Sequence, residues 1–223
     1  MTTPEKIIQK LESDLYPELN SDMIYKLANE SERGAVLIGT AKIEEFLETF
    51  LSKILPQESN NSRKRLLEYP GPLSSFSSKI ELLYAFRYIN LKFYTSLNVL
   101  RRLRNDAAHS YNNFELEKEM QKIADILNFV DEDVSYVIEE LSLNNLLQIK
   151  KFKARKIYIE KNFPVDEKNI EQTIENFKNS AEGTKQHRIW KLSFAIVFMC
   201  LYVLVLIDEN DFLNDKSATH PLK

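Results

Sequence analysis

The stretch LNVLRRLRNDAAH, residues 97–109, sets the reading of the whole chain. Leu97, Leu100, Leu103 and Ala107 recur at three- and four-residue steps and fall on one face of an α-helix. A basic run, Arg101, Arg102 and Arg104, lies along the same helix, which ends in Asn105, Asp106, Ala107, Ala108 and His109. Arg101, Asn105 and His109 follow one another at four-residue steps and form one side-chain row. At roughly 100° per residue, Arg104 lies about 140° around the helix from His109. Its side chain is long enough to bring a guanidinium back toward the imidazole. An arginine and a histidine converging near a helix end suit a phosphate. The planar guanidinium fixes and neutralises the oxyanion, and the imidazole gives or takes a proton near neutrality.

Outward from this helix, the chain reads as helical throughout. Four glycines and seven prolines in 223 residues leave few β-turn signals, so the expected fold class is all-α, a helical bundle. Hydrophobic residues at 43% and charged residues at 28% are the balance of a folded globular domain rather than a disordered chain. Immediately upstream, Ser74–Ser78 offers N-caps to a helix over 79–89, with Ile80, Leu83, Tyr84 and Ile89 facing inward. Pro56–Pro72 reads as a connector with a small helix, a surface cluster Arg63, Lys64 and Arg65, and a turn at Tyr69-Pro-Gly-Pro. Ser31 opens a long helix to about Leu55, kept thin in its first half by Gly34, Ala35, Gly39 and Ala41 so that another helix approaches closely. Glu44, Glu45 and Glu48 on it read as a solvated face. Two short helices, 4–15 and 21–30, precede it.

Downstream, Ser110-Tyr-Asn-Asn breaks the pattern and a helix over 114–129 follows. The segment 131–162 is helical and contains the most basic run of the chain, QIKKFKARKIYIEK, interleaved with Phe152 and Tyr158. Lys150, Lys151, Lys153 and Arg155 are the candidate RNA contacts there, phosphates going to the cations and bases to the rings. Residues 165–183 read as acidic, polar and only partly helical. The last helix carries LSFAIVFMCLYVLVLI, residues 192–207. At 16 residues it falls a little short of the roughly 20 that span a bilayer, which leaves a membrane anchor and a buried or dimer-interface helix as the two readings. The division read from these segments is an N-terminal flank at 1–30, a helical core at 31–130, packed C-terminal helices at 131–213 and a flexible tail at 214–223.

The residues 104–109, R-N-D-A-A-H, resemble the R-x4-H motif of HEPN domains, whose active members cut RNA. The wider stretch LLEYPGPLSSFSSKIELLYAFRYINLKFYTSLNVLRRLRNDAAHS, residues 66–110, resembles the core of the MltR (mannitol operon repressor) family. The likeness runs from a leucine pair through Gly-Pro-Leu, a Ser-x-Lys-Ile helix start and a Tyr-Ala-x-x-x-Ile end to the R-x4-H close. Arg33-Gly-Ala-Val-Leu and the apolar helix after Trp190 resemble that family's flanking helices. Together these cover most of 31–109, and the remainder loosely.

The HEPN resemblance implies a metal-independent endoribonuclease without a cofactor. An RNA 2′-hydroxyl attacks the adjacent phosphate and leaves a cyclic phosphate end. His109 acts as general acid or base, Arg104 stabilises the developing charge and Asn105 orients groups, with Arg101 adding a phosphate contact. The resemblance also implies a homodimer that pairs two such motifs, and a toxin or phage-defence role restrained by a cognate inhibitor. The alternative is an MltR-like regulator that represses through protein contacts, the motif being structural.

Other chemistries find no footing. Cys200 is the one cysteine, which excludes an intrachain disulfide and a cysteine-built zinc site. Three histidines, His109, His187 and His220, are too few and too scattered for a histidine metal site. No phosphate-binding glycine loop, zinc-protease motif or nucleophile elbow is present. Nor is there a helix-turn-helix with a basic recognition helix, and a net charge of −3 argues against a general DNA-coating surface. The start, MTTPEKIIQKLESD, lacks the apolar run of a signal peptide, so the cytoplasm is the expected compartment.

Overall fold

In the computed structural model, residues 3–11, 19, 21–55, 60–109, 114–130 and 132–218 are described, and every regular element among them is helical. In chain order these are α1 (Thr3–Leu11), α2 (Ser21–Ala28), α3 (Glu32–Ile54), α4 (Asn60–Leu67), α5 (Phe76–Ala85) and α6 (Leu91–His109). A 3₁₀ turn (Leu116–Glu119) leads into α7 (Met120–Leu127), and α8 (Glu132–Glu160), α9 (Glu167–Lys178) and α10 (Ala181–Ala218) follow. The protein is an all-α helical bundle.

α10 is its axis. Every residue from Leu192 to Val205 is buried, and a helix apolar around its whole circumference must be enclosed. α1, α2, α3, α7, α8 and α9 pack around it. By length and composition Ala181–Asn210 is able to cross a membrane, but 89% of its most apolar window is buried inside the fold. Its apolar surface is covered by the other helices. α3 approaches it closely at Gly39, where a Cβ would collide with the Ile196 side chain. Of the small residues expected to thin α3, Gly39 is the one that makes this contact. One hydrophobic cluster runs from Ile7 on α1 to Ile207 on α10, and residues from 1–30, 31–130 and 131–213 all contribute to it.

Side-chain oxygens start the helices that matter most for the site. Ser31 Oγ accepts from Gly34 N at 3.0 Å to open α3, and Ser75 Oγ accepts from Ser78 N at 3.1 Å to open α5. Asn90 Oδ1 accepts from Phe93 N at 2.9 Å to open α6, while its amide donates to Tyr202 Oη at 3.3 Å. The start of α6 is thereby tied to the axis, next to the aromatic cluster Phe93, Phe129 and Tyr202. Each such cap contributes about 1 kcal/mol.

Several local expectations change. Residues 165–183 hold a full helix, α9, because Asp166 Oδ1 caps it through Asn169 N at 3.0 Å. The helix expected over 114–129 is broken into a 3₁₀ turn and α7. Tyr84 does not face inward; it is exposed and stacks on Tyr94 with centroids 4.1 Å apart. Glu44 and Glu48 are not merely a solvated face: Lys79 Nζ lies 3.0 Å from Glu44 Oε1 and 2.9 Å from Glu48 Oε2, and Lys79 is only 3% exposed. α10 continues through residues 214–218, where a flexible tail was expected to begin. The remainder of that tail with His220, the end of the first expected helix to Leu15, and residues 110–113 lie outside the described residues.

Candidate active site

The rotation of α6 is fixed by what it buries. Phe93, Leu97, Leu100, Leu103 and Ala107 are completely covered, packed among α3, α5 and α7. At about 1.5–3 kcal/mol per large apolar side chain, no surface contact could turn this helix over. The outward face is therefore set, with Arg102, Arg104 and His109 exposed and Arg101 and Asn105 half-buried.

Arg104 Nη1 donates to Asn105 Oδ1 at 3.3 Å, a long bond between sequence neighbours. Arg101 is held differently. Its Nε donates to Asn98 Oδ1 at 3.2 Å, and Asn98 in turn donates to the Tyr94 carbonyl at 3.2 Å. Arg101 thus leans toward the start of the helix, and no hydrogen bond joins it to Asn105 or His109. Among the described residues the His109 side chain makes no hydrogen bond or ion pair. The structure brings Arg104 and Asn105 together and leaves His109 open at the helix end.

Asp106 is the natural structural partner for Arg104, yet it is taken by another group. Lys122 of α7 sits 2.7 Å from Asp106 Oδ2 and 2.6 Å from Glu119 Oε2. The hydrogen bond that Lys122 donates to Asp106, followed by that to Glu119, holds its ammonium above the ordinary lysine range. This bridge ties the end of α6 to α7. It also removes the one carboxylate within the motif from competition for the guanidinium.

The region after His109 returns to the bundle through two ties that the sequence did not announce. Glu32, buried in the first turn of α3, accepts from Leu116 N at 3.1 Å. Arg188 of α10 reaches Glu117 at 3.4 Å. An acidic residue after an N-cap is the common first-turn preference, so nothing in its sequence position marked Glu32 as a long-range contact. Both ties place the end of α6, the start of α3 and the 188 region of α10 at one end of the bundle.

The basic run of α8 divides in two. Arg155 forms a fork with Glu167 of α9, Nε and Nη2 each 2.8 Å from a carboxylate oxygen, and Lys151 lies 3.6 Å from Glu171. The Arg155 pairing, hydrogen bond first, lowers the Glu167 carboxyl below its ordinary range. These two cations hold α9 against α8. Lys150 sits 4.4 Å over the Phe177 ring instead, and Lys153 is exposed and unpaired among the described residues. The four lysines and arginines grouped by sequence therefore face two different surroundings, neither of them containing His109.

Among the described residues, no three histidine, cysteine, aspartate or glutamate side chains gather as a metal-ligand set. Cys200 is buried in α10, and burial pushes its thiol far above the usual range, so it is no nucleophile. No family model, curated protein or solved structure matches this chain.

Proposed function

We propose that the protein is a HEPN-type, metal-independent endoribonuclease built on an MltR-like helical scaffold. The observation that carries this reading is a contrast at the end of one helix. Asp106 is bound to Lys122, whereas Arg104 and His109 are exposed and carry no carboxylate partner among the described residues. A guanidinium and an imidazole at a helix end, without a carboxylate partner among the described residues, are suited to a phosphate. Arg104 grips a non-bridging oxygen and offsets the charge that builds on the phosphorane. His109 takes the proton of the attacking 2′-hydroxyl or returns one to the leaving 5′-oxygen. Asn105, already bonded to Arg104, steadies the guanidinium. One histidine per chain supplies one of those two proton transfers, and a second copy supplies the other; a homodimer is part of the proposal. Such an enzyme suits a toxin or defence role with a restraining partner in the cytoplasm.

A second reading is a regulator acting through protein contacts. It is favoured by Phe152, Ile159 and Phe163, which are exposed along the far half of α8 and the turn after it. Incubating purified wild type, Arg104→Ala and His109→Ala with end-labelled RNA in EDTA separates the two. The enzyme reading expects cleavage by wild type, a cyclic phosphate on the products and loss in both variants. Inert wild type, or equal cutting by all three, would sink it.

A further inference from the structure

A groove of about 290 Å³ opens between α2, α8 and α10, and no residue of α6 lines it. Its polar wall carries three amines: Lys150 and Lys153, one turn apart on α8, and Lys185 on α10. None of them has a carboxylate partner among the described residues. This is the unneutralised half of the basic run, since Lys151 and Arg155 on the other side of α8 are matched by α9. Lys150 is positioned over the Phe177 ring rather than by an acid, so its charge stays available.

The apolar wall is aromatic. Tyr25 and Trp190 meet edge to face with centroids 6.5 Å apart, and Tyr25 remains 43% exposed. Glu30 and Glu182 also line the groove, and Glu182 accepts from the Gln186 amide. Three amines against two carboxylates leave the groove cationic, with acceptors at hand for the donor edge of a ring. Like charges collected without ion pairs raise the local affinity for an anion. An exposed ring beside them adds a stacking surface.

We propose that this groove binds a phosphate-bearing ligand with a flat ring, the phosphate between Lys150, Lys153 and Lys185 and the ring against the exposed Tyr25, which packs on the buried Trp190 behind it. A free nucleotide and one unit of an RNA strand share that chemistry. The site stands independently of cleavage at Arg104 and His109.

Trp190 is the sole tryptophan of the chain, so its fluorescence reports this groove directly. The full-length protein is titrated with pyrophosphate, uridine 5′-monophosphate and a short oligouridylate. Saturable quenching or a shift of emission by the monophosphate or the oligouridylate is expected. Lys153→Glu combined with Lys185→Glu should weaken it about tenfold or more, as expected for lost phosphate contacts. Lys92→Glu, at the opposite end of α6, serves as the charge control and should bind as wild type. Circular dichroism confirms that each variant is folded. Tight binding of the monophosphate identifies a free ligand, whereas binding of the oligouridylate alone identifies a strand. Pyrophosphate binding as tightly as the monophosphate overturns the part given to the ring. No response to any probe, or full binding by the double variant, overturns the site. Arg104→Ala and His109→Ala should bind normally even where cleavage is lost.

Discussion

Lys79 on α5 and Arg104 on α6 are cations on neighbouring helices with opposite circumstances. Lys79 is 3% exposed and clamped by Glu44 and Glu48 of α3. Arg104 is exposed, and among the described residues its side chain bonds to the adjacent Asn105 alone. Burial alone would push the Lys79 ammonium down, but its hydrogen bonds to Glu48 and Glu44 and their charges outweigh that and leave it raised. Its charge is matched within the fold. That of Arg104 is not matched by any carboxylate among the described residues, and His109 likewise has no carboxylate partner there. Charge that the fold has already neutralised maintains structure, and charge held out to solvent without a partner is what remains for a ligand.

The largest expected effect separates the two kinds of residue by activity. His109→Ala should lower RNA cleavage by about 10²–10⁴-fold, the usual contribution of general acid–base catalysis, with Arg104→Ala comparable. Both should melt like wild type, since exposed substitutions away from structural contacts stay within about 0.5 kcal/mol. Single-turnover cleavage and thermal denaturation on the same preparations check this. A fall in melting temperature that matches the loss of activity would place the motif in the architecture.

Lys79→Met should do the reverse. It keeps much of the buried stem but leaves Glu44 and Glu48 facing each other without their cation. Because both carboxylates are partly solvated, the cost should be about 2–4 kcal/mol, read by denaturant unfolding. Any remaining folded fraction should cleave RNA at the wild-type rate. A stable Lys79→Met would mean that the clamp is incidental.

Gly39→Leu tests the tightness of the packing that holds α6 in place. The new side chain must displace Ile196 at the α3–α10 contact. Overpacking of this kind costs about 1–3 kcal/mol, partly offset by the better helix propensity of leucine. Equilibrium unfolding measures the difference. No loss would show that α10 shifts freely against α3.

The architecture was legible because it rests on periodicity. The low glycine count, the caps at Ser31 and Ser75, and the stripe Leu97, Leu100, Leu103 and Ala107 each carry their own physical signal, and all are observed. Pairings between distant carboxylates and cations carry none. Glu44 and Glu48 on α3 look the same in sequence whether they face water or Lys79. Nor did the basic run of α8 disclose which of its cations meet carboxylates of α9, Lys151 and Arg155, and which line the groove, Lys150 and Lys153. Arg101, Asn105 and His109 all lie on α6 at the four-residue spacing, but the sequence did not show that the Arg101 guanidinium bonds back to Asn98.

The smallest effect concerns a histidine that is neither exposed like His109 nor fully matched like Lys79. His187 Nε2 on α10 lies 3.1 Å from Ser142 Oγ and 3.8 Å from Glu139 Oε1 on α8, and Lys191 pairs with the same Glu139. Burial is the main influence and depresses its affinity for a proton; Glu139 pulls the other way, and Lys191 adds to the depression. The folded state therefore binds fewer protons than the unfolded chain as pH falls below about 6.5. Stability should be fully present above that value and decline toward lower pH, with a slope of at most about 1.4 kcal/mol per unit from this one group. His187→Gln should flatten that part of the profile, measured by urea unfolding between pH 7.5 and 5.5. A wild type that gains stability over the same range would show that the attraction of Glu139 exceeds the cost of burying the imidazolium.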